Sequence, residues 1–318
     1  MRRYNYKIRF IAVLVMLVTL GGCAATPMTE QLTASPPQGL PAFAELTDVP
    51  FFAQTQYFCG PAALATVLNT SGLEINPEDL AKSIYTPGRQ GTLQTEILTG
   101  TRRQGRLALP VHDMGEAFMN IAHGRPVLIL QNLALELVPQ WHYAVLVGFD
   151  LPAETVVLRS GTTRRQVMPM TTFEHTWRRA EFWGVVVVGP EGPIPENTSL
   201  SAWLHEALGL ERAGKPTDAL TAFSVAAGHW PNASAPLIAA ANILIVQGRL
   251  QDAASSLQAA VRRQPDNAVA LNNLAHVLML QGALEAAEKA ALKAVEYGGS
   301  SEATARETLA AIRARQTN

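Results

Sequence analysis

Two patterns of hydrophobic and polar positions divide the first half of this chain. The apolar, alanine-rich run that follows Cys59-Gly60-Pro61 predicts a helix. Pro61 suits the first helical position, where a missing N–H costs nothing. Asn76-Pro77-Glu78-Asp79 opens a second helix, with Asn76 as cap and Pro77 at its first position. Residues 91–103 read as a third, and Asp113-Met114-Gly115-Glu116 has capping-box spacing before 117–122. Short β-rich runs follow at 126–131, 142–149, 155–158, 165–168 and 182–188. Helices first and strands later predict an α+β domain with a largely antiparallel sheet, over residues 45–190.

The cluster Gly189-Pro190-Glu191-Gly192-Pro193-Ile194-Pro195 breaks both patterns and marks a linker at 191–199. Beyond it the chain repeats itself. Gly214, Gly248 and Gly282 are 34 residues apart, and so are Ala219, Ala253 and Ala287. Ala226, Ala260 and Ala294 keep the same step, as do Leu210, Leu244 and Leu278, and Pro231 with Pro265. This period, with small residues that let paired helices approach closely, resembles the tetratricopeptide repeat. The resemblance implies an all-α solenoid of three repeats over 200–301, with a capping helix and tail at 302–318.

At the N-terminus, Arg2, Arg3, Lys7 and Arg9 precede an apolar run at 10–20, too short to span a bilayer comfortably. Residues 1–22 therefore read as a signal peptide. Leu20-Gly21-Gly22-Cys23 resembles the bacterial lipobox, which implies lipidation of Cys23. Ala24 stands where an aspartate often retains lipoproteins in the inner membrane, so the resemblance implies an outer-membrane anchor facing the periplasm. Residues 23–44, polar and proline-containing, read as a flexible tether. The whole chain carries 25 Lys and Arg against 26 Asp and Glu. The first 22 residues hold four basic and no acidic residues, so the remainder sets 21 basic against 26 acidic, a net −5. That balance argues against nucleic acid as a partner.

Only two cysteines are present, and lipidation of Cys23 leaves Cys59 without a disulfide partner. Neither a cofactor nor a metal site is expected, since one cysteine makes no thiolate cluster. Cys59 at a helix start has two readings, inert packing or a nucleophile. The helix terminus favours the thiolate, so a lowered thiol pKa is expected. A nucleophile needs a base. Of seven histidines, His205, His229 and His276 lie in the repeats, and His112, His123 and His175 in polar contexts near element ends. His142 opens the strongest strand, Trp141-His142-Tyr143-Ala144-Val145-Leu146-Val147-Gly148-Phe149. It reads either as a half-buried strand histidine or as the base. Arg102, Arg103, Arg106, Arg159, Arg164 and Arg165 read either as solvated charges or as the lining of a cleft for acidic substrate.

Gln54, then Cys59-Gly60-Pro61-Ala62, then after about eighty residues His142-Tyr143-Ala144-Val145-Leu146-Val147-Gly148-Phe149, resembles the papain-like cysteine peptidases that process bacteriocin leaders, and more closely their stand-alone lipoprotein relatives. The resemblance implies Cys59 as nucleophile, His142 as general base and then acid, and the Gln54 amide as oxyanion donor beside the Cys59 N–H. Gln56 competes locally with Gln54. The family usually places an aspartate at the end of the following strand, and here Ser160 stands there. A hydroxyl accepts from imidazole but does not stabilise imidazolium by charge. Asn132 is the other candidate for orienting the ring, while Asp150, eight residues past His142, falls too far along the strand.

Three functions follow. The first is a membrane-anchored cysteine peptidase acting on a peptide or protein substrate, with repeats that recruit a protein partner. The second is a catalytically degenerate scaffold lipoprotein. The third is an amidase or acyltransferase using the same dyad on a non-protein amide.

Overall fold

The computed structural model describes residues 25–53, 58–86, 88 and 91–317. Cys23, Gln54, Gln56 and the signal-peptide stretch lie outside them.

The N-terminal domain carries six helices and seven strands among the described residues: α1 (Pro27–Ala34), β1 (Phe43–Glu45), α2 (Cys59–Thr70), α3 (Pro77–Ile84), α4 (Gln94–Arg103), β2 (Leu107–Val111), α5 (Met114–Ala122), β3 (Val127–Asn132), β4 (Trp141–Asp150), β5 (Thr155–Ser160), β6 (Thr163–Pro169), α6 (Met170–Arg178) and β7 (Gly184–Val188). The strands form one antiparallel sheet in the order β2-β7-β3-β4-β5-β6, with β1 pairing the far end of β4. Alternation along the strands separates two cores. Ala144, Leu146, Val127, Ile129 and Val186 face α1, α5 and α6. Tyr143, Val145, Val147, Leu128, Leu130 and Val185 face α2, α3 and α4.

β4 is central because every position from Tyr143 to Phe149 is buried. It pairs with β3, β5 and β1. α2 lies against it and is buried continuously from Gly60 to Leu68. Such a helix shows no polar stripe, in keeping with its alanine-rich sequence.

The expected tether at 23–44 is corrected in its described part. α1 folds back on α5 and α6, with Leu32 only 4% exposed. Its N-terminal donors are met by the buried Glu174 carboxylate, which accepts from Met28 N at 3.1 Å and from Thr29 N and Oγ1 at 2.8 and 2.7 Å. A carboxylate from another element thus supplies the cap that Thr26 does not. At α5 the expected cap forms, with Glu116 N donating to Asp113 Oδ1 at 2.7 Å.

Seven helices complete the chain: α7 (Leu200–Arg212), α8 (Pro216–His229), α9 (Ala235–Val246), α10 (Leu250–Arg263), α11 (Ala268–Leu280), α12 (Leu284–Tyr297) and α13 (Glu302–Gln316), with a 3-10 turn at Gly299–Ser301. The glycines of the 34-residue period end the first helix of each pair with φ of +75°, +72° and +79° at Gly214, Gly248 and Gly282. The periodic alanines 219, 253 and 287 are wholly buried.

The repeats are not a separate bead on a linker. Trp203, Ala207 and Leu210 of α7 share a core with Leu107 and Leu109 of β2. β2 is an edge strand, and its outward Ala108 N–H donates to Glu206 Oε2 at 3.3 Å. The same carboxylate pairs with the Arg102 guanidinium at 2.6 and 3.1 Å. The repeat domain therefore covers an edge that would otherwise be open to pairing. Because the Glu206 side chain is 5% exposed and that of Arg102 19%, removing one partner strands a buried charge. Glu206→Ala should cost about 3–5 kcal/mol in urea unfolding. Arg102→Met combined with Glu206→Leu should cost clearly less, because no charge is left unpaired. Equal losses in the two proteins would show that the pair is not the reason.

Candidate active site

Cys59 begins α2, with Phe58 as the residue before the first turn. Phe58 stacks on Tyr85, just past α3, with ring centroids 5.3 Å apart. Gly60 follows where no side chain fits, since a Cβ there would lie 2.5 Å from both Cβ and Oγ1 of Thr92. The Thr92 hydroxyl is itself buried, with no hydrogen-bond partner among the described residues. Elsewhere on the sheet, Arg159 holds the turn that follows β1. Its guanidinium is buried and donates to the carbonyls of Leu46, Thr47, Val49 and Arg164 at 2.8–3.3 Å.

The Cys59 sulfur sits against the start of β4. Backbone N–H groups of Tyr143, Gly60 and Cys59 itself point at it and lower the thiol pKa, but burial dominates and pushes it above the ordinary thiol range. The expected lowering is therefore corrected. The helix terminus acts in the expected direction, yet desolvation of the thiolate outweighs it. The same burial pushes His142 below the ordinary imidazole range. Both shifts favour an uncharged thiol and an uncharged imidazole.

His142 Nε2 lies 2.9 Å from Ser160 Oγ. Register explains the meeting. Val145 pairs with Arg159, so Ser160 falls one step further along, diagonal to His142 on the same face. With Nε2 committed to Ser160, Nδ1 is the ring nitrogen left to take a proton. Asn132, the other orienting candidate, is excluded by what it already does, and Asp150 lies where the spacing puts it, too far away. Asn132 Oδ1 accepts from Ala134 N and Gln140 N, while its amide donates to Leu135 O. Asp150 lies at the opposite end of β4 and accepts from Ala153 N.

The arginine cleft does not form. Arg102 binds Glu206, Arg103 binds Ser83 O, Arg106 binds Ser71, and Arg165 binds Glu45. Arg159 was read as solvated or substrate-facing and is instead a buried clamp. A groove of about 410 Å³ between Leu109, His112, Glu116 and Ser199 contains none of the site residues above.

Residues 46–185 match the Peptidase_C39 like family, and residues 238–303 match the tetratricopeptide repeat. The N-terminal domain is C39-like. No curated protein matches the chain. Among solved structures, one from Bacillus anthracis described as a C39-like peptidase is 19% identical, with 46% of this chain and 97% of that one covered and a TM-score of 0.39. The type III secretion chaperone SycD of Yersinia enterocolitica, in complex with a peptide of the translocator YopD, is 19% identical. It covers 38% of this chain and 98% of its own, with a TM-score of 0.35. MamA of Desulfovibrio magneticus is 21% identical over 39% of this chain and 69% of its own, with a TM-score of 0.34.

The C39-like domain thus joins a thiol, an imidazole and a hydroxyl at one end of the sheet, all uncharged at rest. Iodoacetamide alkylation of Cys59 should rise with pH through a midpoint above that of a free cysteine, because the raised pKa leaves the group as thiol at neutral pH. Ser160→Asp should move that midpoint down, since a carboxylate stabilises imidazolium and imidazolium stabilises thiolate. A plateau already reached at neutral pH in the unaltered protein would contradict the uncharged pair.

Proposed function

We propose that this protein is a lipid-anchored cysteine peptidase of the bacterial cell envelope. The reading rests above all on Cys59 abutting the backbone of Tyr143 at the start of β4, the residue that follows His142, whose Nε2 meets Ser160. The C39-like match of residues 46–185 supports the same chemistry.

In the proposed reaction the Cys59 sulfur attacks the scissile carbonyl carbon as His142 Nδ1 takes the thiol proton. Because the pair is uncharged at rest, the proton moves during attack rather than before it. The resulting oxyanion is met by the Cys59 backbone N–H and, in this proposal, by the Gln54 amide, which lies outside the described residues. His142 returns its proton to the leaving amine, leaving a thioester on Cys59. Water then attacks the thioester with His142 again as base. Ser160 acts as a positioning residue throughout. Tetratricopeptide repeats generally mediate protein–protein interactions, and here they are proposed to recruit the substrate or a partner. Cys23 is proposed to carry the lipid, in the outer membrane facing the periplasm.

A second reading, a non-catalytic scaffold, is favoured by one observation: a neutral Ser160 stands beside a thiol whose pKa is raised. A peptidyl epoxide separates the two. It should label Cys59, fail to label the Cys59→Ala protein, and label His142→Ala about 10²–10⁴-fold more slowly, the usual contribution of a general base. Labelling of Cys59 at the rate of a free thiol, or none at all, would favour the scaffold.

A further inference from the structure

The loop between β3 and β4 holds out an apolar surface that the proposed chemistry does not use. Leu137 is 95% exposed, Leu135 and Val138 are 73%, and Trp141 at the base is 54%. These side chains are not left out by a loose chain. Val138 N donates to Leu135 O at 3.1 Å and Leu133 N to Gln140 O at 2.9 Å, so the loop closes as a narrow hairpin. Asn132 fastens its base from inside. Single exposed leucines are ordinary, but a bonded hairpin with its apolar tip in water marks a contact surface.

A second observation says what lies in front of it. At the end of α6, Arg179 donates to Asn132 O at the hairpin base, at 3.1 Å. Its neighbour Arg178 donates to Ala25 O, also at 3.1 Å. Ala25 is two residues from Cys23, and two residues reach at most about 7 Å. The hairpin base and Ala25, the described residue nearest in sequence to the proposed lipid attachment point, therefore share one end of one helix.

We propose that the β3–β4 hairpin dips its tip, residues 135–138, into the bilayer that holds the lipid anchor. The proposal rests on the anchoring of Cys23 stated above. Trp141 then sits at headgroup level, where tryptophan is favoured. The exposed Arg178 faces anionic headgroups. Glu136, the one charge in the tip, limits the depth to the headgroup layer and the first chain carbons. Lipid alone leaves the domain free to tumble about its tether, and the hairpin gives it a fixed orientation. His142 directly follows Trp141, so the proposed contact brings the start of β4, against which Cys59 sits, close to the membrane surface. Its substrates are polypeptide segments held close to that surface.

The test uses the mature full-length protein carrying Cys59→Ala and Leu137→Cys, with an environment-sensitive dye on the new thiol. Leu137 is almost fully exposed, so its replacement leaves the core untouched. In vesicles of phosphatidylethanolamine and phosphatidylglycerol the dye should shift to the blue and lose most of its emission to doxyl-labelled lipid. The same dye at Val246, 87% exposed in the repeats, should do neither. Mass spectrometry of the N-terminal peptide reads the anchor independently. A lipidated protein whose Leu137 dye stays aqueous overturns the hairpin proposal and leaves the anchor intact. If Cys23 carries no lipid, the experiment is repeated on a Cys23→Ser chain with added vesicles. Quenching there sustains the hairpin without the anchor, and no quenching overturns both. Shielding that follows protein concentration or added peptide instead of vesicles assigns the tip to a second copy or to substrate, and overturns the membrane contact.

Discussion

The contact between the first turn of α2 and the start of β4 is the constraint on which the rest of this structure depends. α2 is buried along most of its length, so Cys59 does not move without disturbing the core. Three separate devices converge on that turn. Phe58 stacks on Tyr85, Gly60 admits Thr92, and Tyr143 aims its backbone N–H at the sulfur. The burial that fixes the thiol also raises its pKa. Positioning and activation are therefore opposed here, and the neutral Ser160 does nothing to relieve the opposition. The chemistry proposed for this site is accordingly one in which the proton leaves the thiol only as the substrate arrives.

Much of the fold was legible from spacing. The run after Cys59-Gly60-Pro61, the strand from Trp141, and the 34-residue period each follow from local rules that tertiary contacts reinforce. The elements that escaped were those whose stability comes from elsewhere. α1 looks like a tether because its cap, Glu174, lies about 145 residues away along the chain. β2 (Leu107–Val111) carries a proline and forms an edge, and it is made a strand by β7 on one side and by Glu206 on the other. Ser160 was marked out by the family resemblance, which expects an aspartate at that strand end, and the β4–β5 register sets its hydroxyl against His142. Arg159 was not, because nothing in its neighbourhood announces four carbonyls waiting from residues 46–49 and 164. The thiol pKa was misread for a related reason. A helix terminus is visible in sequence, and the depth of burial around it is not.

The union of the two domains changes how the repeats work. A recruitment module on a free linker would raise the local concentration of substrate and little else. Here α7 is part of the same core as β2, and Glu206 is bonded both to the sheet edge and to α4. A partner recruited as proposed would be presented to the C39-like domain at one angle. If the hairpin also fixes the domain on the bilayer, the site, the repeat surface and the membrane form a single frame, and geometry rather than a pocket full of charges selects the substrate.

The claim at the centre of this account is that Cys59 and His142 cut polypeptides in the envelope. Mapping of protein N-termini in envelope fractions tests it most directly, comparing cells that carry the unaltered protein with cells carrying Cys59→Ala or His142→Ala at equal abundance. The account predicts a set of N-termini present with the unaltered protein and lost with both variants. Identical sets in all three would contradict it.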